Sequence, residues 1–301
     1  MNRSELVKEP AADAAAIAAY WSSNPQSYAE EHGGTTFVTP DGQVVTAARR
    51  SPEYFRETDR TLYAWNRPCH DETGPFGRIF PYERYRGRRV LEVGCGQGGM
   101  AALWAERGAQ LTAVDLNPDA IAATRERFAQ RQLQGEIRQV DARQLPFADG
   151  TFDFAYSWGV LHHSPDLPRS VGELMRVLRP GGEFGVMLYH RRSLLYWYQI
   201  LFLEGYLHGE RRFLSPLELA SRYTDGDRQE GNPHTWPITA AEARTIFGPH
   251  ASRLGVRVLG TDIVPILDLA MPGLTKVIPT PVWKSWARRW GWSLWISGER
   301  R

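Results

Sequence analysis

Two adjacent histidines, His162 and His163 in the stretch SWGVLHHSPD, are the first candidates for chemistry in this sequence. Adjacent histidines can bind a metal ion, act as a general base or hold a loop in shape. Neighbouring residues of an extended backbone point to opposite sides, so such a pair seldom binds one ion. The sequence offers no His-x-x-x-His pair or acidic cluster beside them, and we therefore expect no metal site.

A second candidate is the glycine-rich stretch Gly94-Cys95-Gly96-Gln97-Gly98-Gly99, which follows Glu92. Glycines allow a tight turn and let the backbone approach a ligand at a helix N-terminus. The stretch fits the dinucleotide pattern G-x-G-x-x-G and also the pattern E/D-x-G-x-G-x-G. Asp115, further along the chain, can accept hydrogen bonds from both hydroxyls of a ribose in either case. These residues predict a nucleoside-containing cofactor without choosing between the two classes.

The elements that must position these residues alternate along residues 88 to 189. Short apolar runs predict strands over 89–94, 110–116, 135–142, 152–159 and 183–190. Helical spacing predicts helices over 98–109, 117–132 and 164–178, and Asn117 followed by Pro118 is a strong helix start. Alternating strands and helices form a doubly wound parallel α/β sheet, which binds ligands at the carboxyl ends of its strands.

Composition narrows the class of protein. The 301 residues include 36 basic and 34 acidic side chains, and the net charge of +2 argues against a nucleic-acid or anionic-membrane surface. Two cysteines, Cys69 and Cys95, exclude a disulfide framework and a cysteine-rich zinc site. The N-terminus lacks the layout of a signal peptide, and no apolar run approaches the length of a membrane span. We expect a cytoplasmic protein without membrane contact.

Later motifs choose between the two cofactor classes. Asp141-Ala142 precedes RQLPFADGTFDFAYSWGVLHH, and RVLRPGGEFGVML follows the next helix. This ordered series, over about 86–190, resembles the class I S-adenosylmethionine-dependent methyltransferases, particularly the small-molecule group typified by ubiquinone-biosynthesis C-methyltransferases. The resemblance implies a Rossmann-like seven-stranded sheet with an antiparallel last strand and helical cap or lid insertions. Residues 254–264 and 291–300 are candidates for its last two strands.

The same resemblance implies which residues contact S-adenosylmethionine. The glycine loop would support the methionine part, Asp115 would hold the ribose, and Asp141 would face the adenine amino group beside Ala142. Tyr20 and Tyr28 of the N-terminal segment could cover the cofactor, or could instead pack between helices. The expected cofactor contacts are Glu92, Gly94, Gly96, Gly98, Asp115, Leu116, Asp141, Ala142, Ser157, Tyr20 and Tyr28.

Methyl transfer from a sulfonium is an in-line displacement, so the protein mainly aligns the reactants and excludes water. A base is needed only when the acceptor must lose a proton. His162 and His190 follow the fourth and fifth strands and are the candidate bases. The alternative is that a histidine of this motif only orients the loop, which is our expectation for His163.

Four segments follow from these patterns. They are an N-terminal cap or lid (1–86), the cofactor-binding core (87–190), a substrate-pocket insertion (191–238), and the completion of the sheet with an aromatic-rich insertion (239–301). The insertion at 191–238 carries large aromatic residues, which we expect either to line the acceptor pocket or to form the core of a helical cap. These residues are Tyr196, Trp197, Tyr198, Phe202, Tyr206 and Phe213.

The C-terminal region is rich in tryptophan, with Trp283, Trp286, Trp290, Trp292 and Trp295. These side chains can lie at a membrane interface, or they can pack on the sheet edge or on a second subunit, so a homodimer stays open. We assign Trp292 and Trp295 to the last strand, which weakens the membrane alternative. The function expected from the sequence is methyl transfer to a small organic acceptor. The alternatives are a catalytically silent cofactor-binding partner subunit and methylation-coupled cyclisation.

Overall fold

A seven-stranded sheet forms the centre of the molecule, and a two-stranded antiparallel ribbon lies in its N-terminal part. The computed structural model describes residues 13–26, 34–38, 42–225, 231–260, 263–271 and 273–301. The described strands are β1 (Thr36–Val38), β2 (Val44–Thr46), β3 (Arg89–Val93), β4 (Gln110–Asp115), β5 (Glu136–Gln139), β6 (Phe152–Trp158), β7 (Leu178–Tyr189), β8 (Ala251–Leu259) and β9 (Ser293–Arg300).

Helices cover both faces of the sheet and extend from one of its edges. The α-helices are α1 (Ala14–Ser23), α2 (Pro52–Trp65), α3 (Gly99–Glu106), α4 (Pro118–Gln130), α5 (Leu167–Val177), α6 (Pro216–Tyr223), α7 (Ala240–Phe247), α8 (Ile263–Ala270), α9 (Leu274–Val277) and α10 (Thr280–Trp290). A π-helix spans Leu195–Leu207, and 3₁₀ turns cover Arg67–Cys69, Tyr82–Tyr85, Leu161–His163 and Glu210–Arg212. Within the described residues, every helix is too short or too polar to cross a membrane.

The strand order in the large sheet is β5-β4-β3-β6-β7-β9-β8. Strands β3 to β7 are parallel, and β9 is antiparallel to both β7 and β8. The predicted Rossmann-like sheet with an antiparallel last strand is therefore confirmed. Strands β4 and β5 extend to one side of β3 while β6 and β7 extend to the other. This reversal creates a crevice at the carboxyl ends of the strands, where such sheets bind ligands.

Side chains of one strand alternate between two cores, one on each face of the sheet. On β6, Phe154 and Tyr156 pack with Trp104 of α3, whereas Ala155 packs with Val171 of α5. A one-residue step along a strand thus moves a side chain to the opposite face. This alternation decides which residues at the carboxyl ends face the crevice.

The observed element bounds differ from the predicted ones at the sheet edge. Strand β5 ends at Gln139 and not at residue 142, because it is an edge strand whose last partner on β4 is Asp115. Beyond it, the Asp141 carboxylate accepts a hydrogen bond from the Arg143 backbone N–H at 2.8 Å and forms a turn. The insertion between β8 and β9 consists of three helices, α8 to α10.

A buried ion pair joins α4 to α2 beneath the glycine loop. The Arg127 side chain is fully buried, and its Nη1 donates to both carboxylate oxygens of Asp59 at 2.8 and 2.6 Å. Its Nε donates to the Gln97 backbone carbonyl at 2.7 Å, and its guanidinium lies 4.4 Å from the centre of the Phe55 ring. One side chain therefore connects the N-terminal helix α2, the core helix α4 and the loop.

Replacing Arg127 with Met should lower the free energy of unfolding by about 3 kcal/mol. The buried negative charge of Asp59 would then lose the positive charge and the hydrogen bonds that Arg127 supplies. Arg131, whose Nη2 lies 3.2 Å from Asp59, would remain. Chemical denaturation measures the change. Arg253→Met removes an exposed pair with Glu299 and should cost less than about 1 kcal/mol. Equal losses in the two variants would contradict this role of Arg127.

Candidate functional site

The glycine loop between β3 and α3 has a backbone shape that requires glycine. Gly94, Gly96 and Gly98 have φ values of +85°, +51° and +73°, in the left-handed region. A Cβ on Gly94 would lie 2.3 Å from a methyl carbon of Val160, whereas a Cβ on Gly96 would meet nothing within 4 Å. Gly94 thus allows close packing against the loop after β6, and Gly96 leaves open space for a ligand.

Asp115, at the end of β4, holds this loop in place. One carboxylate oxygen accepts a hydrogen bond from the Gly96 backbone N–H at 2.9 Å, and the other accepts from the Asn117 backbone N–H at 2.9 Å. Burial raises the pKa of Asp115 above its usual value, and the backbone hydrogen bonds oppose that shift. The carboxylate also lines the large pocket at the carboxyl ends of the strands, so it can bind a ligand while it anchors the loop.

Glu92, on β3, places a second buried carboxyl at the same pocket. Its Oε2 has no hydrogen-bond partner among the described residues. Burial raises the pKa of Glu92 to about 8, because the low-dielectric surroundings disfavour the charged form. A buried carboxyl with one oxygen left without a protein partner suits a polar or positively charged ligand.

Beyond β5, Asp141 and Ala142 line the pocket, as does Leu116 after β4. The Asp141 carboxylate pairs with Arg143 at 2.6 Å. Burial raises the pKa of Asp141, but the hydrogen bonds and charge of Arg143 more than compensate, so its pKa lies below the usual value. Asp141 is therefore an ionised hydrogen-bond acceptor at this side of the pocket.

The N-terminal helix α1 closes one side of the pocket. Ile17 and Trp21 line it, and the Ser22 hydroxyl donates to the Asn117 side chain at 2.7 Å, which fixes α1 to the start of α4. Tyr20 does not line the pocket, since its hydroxyl points to the Asp225 backbone carbonyl at 3.5 Å. Tyr28, the other predicted cover residue, lies outside the described residues.

Of the two adjacent histidines, His163 and not His162 lines the pocket. His163 lines the pocket, and its Nδ1 donates to the His234 backbone carbonyl at 2.7 Å. His162 is fully buried against the Tyr189 ring, with 3.8 Å between ring centres, and does not line the pocket. Burial lowers the pKa of His162 well below its usual value, so the ring is neutral. His162, which the sequence predicts as a candidate base, therefore lies behind the side chains that line the pocket.

The alternation of side chains along β7 explains why His190 does not line the pocket either. Tyr189 and Met187 of β7 line the pocket, and the next residue points away. The His190 Nδ1 donates to the Gly291 backbone carbonyl at 3.0 Å, and burial lowers the pKa of His190. Ser157 is buried on the opposite face of β6 from its pocket-lining neighbour Trp158.

Gly98 also lies outside the pocket lining, where it acts as the left-handed N-cap of α3. The aromatic residues predicted to line the acceptor pocket, from Tyr196 to Phe213, do not line it either. Tyr196 is buried, but Trp197, Phe202, Tyr206 and Phe213 are exposed. For these four residues neither predicted role is correct, because their side chains face solvent.

Sequence reasoning missed a cluster of polar side chains formed by Tyr189, His163 and Asp225. The Tyr189 hydroxyl donates to Oδ2 of Asp225, and Nε2 of His163 lies 3.4 Å from the same oxygen. All three residues line the pocket. Asp225 follows α6 in a polar loop and lies 36 residues from Tyr189 in the sequence, so no local pattern could have paired them.

His162, His163 and Asp225 also offer ligand atoms that lie within 4.8 Å of one another, close enough to be considered for a metal ion. Neighbouring residues point to opposite sides only where the backbone is extended. These histidines instead lie in a 3₁₀ turn, with 4.3 Å between their ring centres. The contacts from Tyr189 and His163 both go to Oδ2 of Asp225, so a metal ion at that oxygen would compete with the Tyr189 hydrogen bond.

Comparison with known proteins identifies the core. Residues 91–186 match a family model described as a methyltransferase domain. The chain has a class I S-adenosylmethionine-dependent methyltransferase domain. A malonyl-[acyl-carrier protein] O-methyltransferase of Pectobacterium atrosepticum is 39% identical over 99 residues, 33% of this chain and 37% of that protein. A sterol 24-C-methyltransferase of Schizosaccharomyces pombe is 32% identical over 185 residues, 56% of this chain and 47% of that protein.

A solved structure of a protein from Pyrococcus horikoshii OT3 shares the fold of this methyltransferase domain. It has a TM-score of 0.50 and 18% identity, and the alignment covers 84% of this chain and 94% of that one. The chain spans less than half the length of the two curated relatives. The cofactor of the domain is S-adenosylmethionine, and the open space at Gly96, the Asp115 acceptors and Oε2 of Glu92 fit its polar groups.

Replacing Asp115 with Ala should raise the dissociation constant for S-adenosylmethionine by roughly 10- to 100-fold, because a charged hydrogen-bond acceptor and the anchor of Gly96 are both lost. Isothermal titration calorimetry measures the change. Asp149→Ala removes an exposed carboxylate away from the pocket and should leave the constant unchanged. Tight binding by the Asp115 variant would contradict the assigned role.

Proposed function

We propose that the chain is an enzyme that transfers a methyl group from S-adenosylmethionine to a small organic acceptor. One observation carries the proposal: a single pocket is lined by the glycine loop and Asp115 and also by the Tyr189–His163–Asp225 cluster. The first group lies at β3 and β4, whereas Tyr189 ends β7 on the other side of the switch point. Cofactor and acceptor can thus meet between them.

In this proposal the protein's own groups bind and orient. The loop backbone at Gly94 and Gly96 supports the methionine part of the cofactor, Asp115 accepts from the ribose hydroxyls, and Asp141 accepts from the adenine amino group. S-adenosylmethionine supplies a methyl group already activated on a sulfonium. Alignment and exclusion of water are then the main catalytic tasks. Trp21 on α1 contributes to exclusion by covering the pocket next to His163, with 5.0 Å between the two rings.

Asp225 is the proposed base, acting through Tyr189. An acceptor proton can pass to the Tyr189 hydroxyl oxygen as the tyrosine proton passes to Oδ2 of Asp225, which leaves Asp225 protonated. His163 lies beside the carboxylate: its Nδ1 donates to the His234 carbonyl, and its Nε2 lies 3.4 Å from Oδ2 of Asp225. These residues replace His162 and His190 as the proton-transfer candidates, because neither histidine lines the pocket.

The lining also describes the acceptor. Ile17, Leu62 and Met187 are apolar, and Trp158 and Tyr189 add ring surfaces. This lining favours an acceptor with an apolar body and one group that loses a proton. One relative is named for O-methylation and the other for C-methylation of a sterol. The proposal therefore covers a small organic acceptor without selecting the methylated atom.

With an acceptor that must lose a proton, Tyr189→Phe and Asp225→Asn should each lower kcat by roughly 10²- to 10⁴-fold, because the proton relay is broken. The affinity for S-adenosylmethionine should change little, since neither side chain is assigned to the cofactor. Formation of S-adenosylhomocysteine measures turnover, and calorimetry measures cofactor binding. Tyr206→Phe and Asp149→Asn are matched controls that should retain full activity.

Three results would contradict parts of this proposal. Full turnover in both Tyr189→Phe and Asp225→Asn would exclude the relay. Loss of activity with a chelator, restored by a divalent cation, would instead assign His162, His163 and Asp225 to a metal ion. Cofactor binding without S-adenosylhomocysteine formation on any acceptor would favour a catalytically silent partner subunit.

A further inference from the structure

The segment on and just after the π-helix exposes four large aromatic side chains. We call Trp197, Phe202, Tyr206 and Phe213 the aromatic face; they lie on and just after the π-helix, with exposed fractions of 58%, 45%, 74% and 85%. The Phe202 ring stacks on the Tyr206 ring, with 6.1 Å between centres. Exposed patches of this kind are rare on soluble proteins and mark interaction surfaces.

The C-terminal helix α10 is linked to the π-helix through α8. Leu194, which precedes the π-helix, and Trp283 and Trp286 of α10 pack against one apolar cluster that contains side chains of α8. Trp290 and Val282 of the same helix are exposed. The π-helix follows the carboxyl end of β7, and α8 to α10 leave the carboxyl end of β8 and return to the start of β9. Both elements therefore project from the sheet edge that holds the pocket.

Positive charge accompanies the apolar groups. Lys276, Lys284, Arg288 and Arg289 are exposed, and the sequence has no Asp or Glu from residue 269 to 298. Arg211 and Arg212 are exposed beside Phe213. Within the described part of the chain, none of these six cations forms an ion pair with an acidic side chain. The surface thus combines aromatic side chains with uncompensated cations.

We propose that this surface, the aromatic face together with α10, docks on an anionic lipid bilayer. Tryptophan, tyrosine and phenylalanine partition into the headgroup region, and lysine and arginine are attracted to anionic lipids. The acidic residues of this segment, Glu204 and Glu210, already pair with side chains of their own chain. A second copy of this chain is therefore the less suitable occupant, because a two-fold contact would bring the same cations face to face. Docking would hold the pocket edge of the sheet near the bilayer, where a membrane-dissolved acceptor is concentrated.

Vesicle co-sedimentation of the full chain tests the proposal. Binding to phosphatidylcholine vesicles with about 30% phosphatidylglycerol should exceed binding to pure phosphatidylcholine by at least about tenfold, and it should weaken as salt screens the charges. Lys284→Gln/Arg288→Gln/Arg289→Gln should lose most of this binding. Phe202→Ser/Tyr206→Ser/Phe213→Ser should lose binding at low and high salt alike.

Arg84→Gln/Arg86→Gln/Arg88→Gln is the charge-matched control, since these exposed arginines precede β3 at the opposite edge of the sheet. It should bind the anionic vesicles like the wild-type protein. The proposal would be overturned if the wild-type protein did not bind vesicles or bound both vesicle types equally. It would also be overturned if the α10 charge variant and the control variant lost the same amount of binding. So would a dimer that the Phe202, Tyr206 and Phe213 variant dissociates. Vesicle binding by the wild-type protein at low and high salt tests the proposal even if a variant misfolds. Because the assay contains no cofactor, a failure to bind vesicles would not contradict the proposed methyl transfer.

Discussion

The buried ion pair between Arg127 and Asp59 is the interaction on which the rest of the structure depends. It neutralises Asp59 on α2 and holds the Gln97 carbonyl of the glycine loop from below. Isolated buried charges are costly, so the arginine and the carboxylate can only be buried together. Their pairing fixes the N-terminal part of the chain on the core domain. It also supports the backbone turn from which Gly96 faces the pocket.

On the other side of the loop, Asp115 performs a related task. Its two oxygens hold the Gly96 and Asn117 backbone N–H groups, so the loop shape and the start of α4 depend on one carboxylate. The Asn117 side chain then accepts from Ser22 of α1. A chain of hydrogen bonds thus leads from the floor of the pocket to the helix that covers it. These hydrogen bonds connect the glycine loop with α1.

Most residues predicted on the cofactor side line the pocket, because their sequence signals are local. Glycines that need positive φ, an acid at the end of a strand and the Asn117-Pro118 helix start each act over a few residues. The doubly wound sheet with an antiparallel last strand also followed from the alternation of strands and helices together with the family resemblance. On the acceptor side, the structure brings other residues to the pocket than the predicted ones. Selecting Tyr189 over His190 requires the exact parity of β7, and Asp225 reaches the cluster from a distant loop. The aromatic residues of the insertion at 191–238 were predicted to line the acceptor pocket or a cap core because of their type, although the structure exposes four of them.

A crystal structure of the complex with S-adenosylhomocysteine tests the central claim most directly, namely that one pocket holds both the cofactor and the proton-transfer cluster. The account predicts that the ribose hydroxyls contact the Asp115 carboxylate, that the adenine lies beside Asp141, and that the sulfur faces the space in front of Tyr189 and Asp225. A ligand bound elsewhere, or one whose sulfur faces away from Tyr189, would contradict the account.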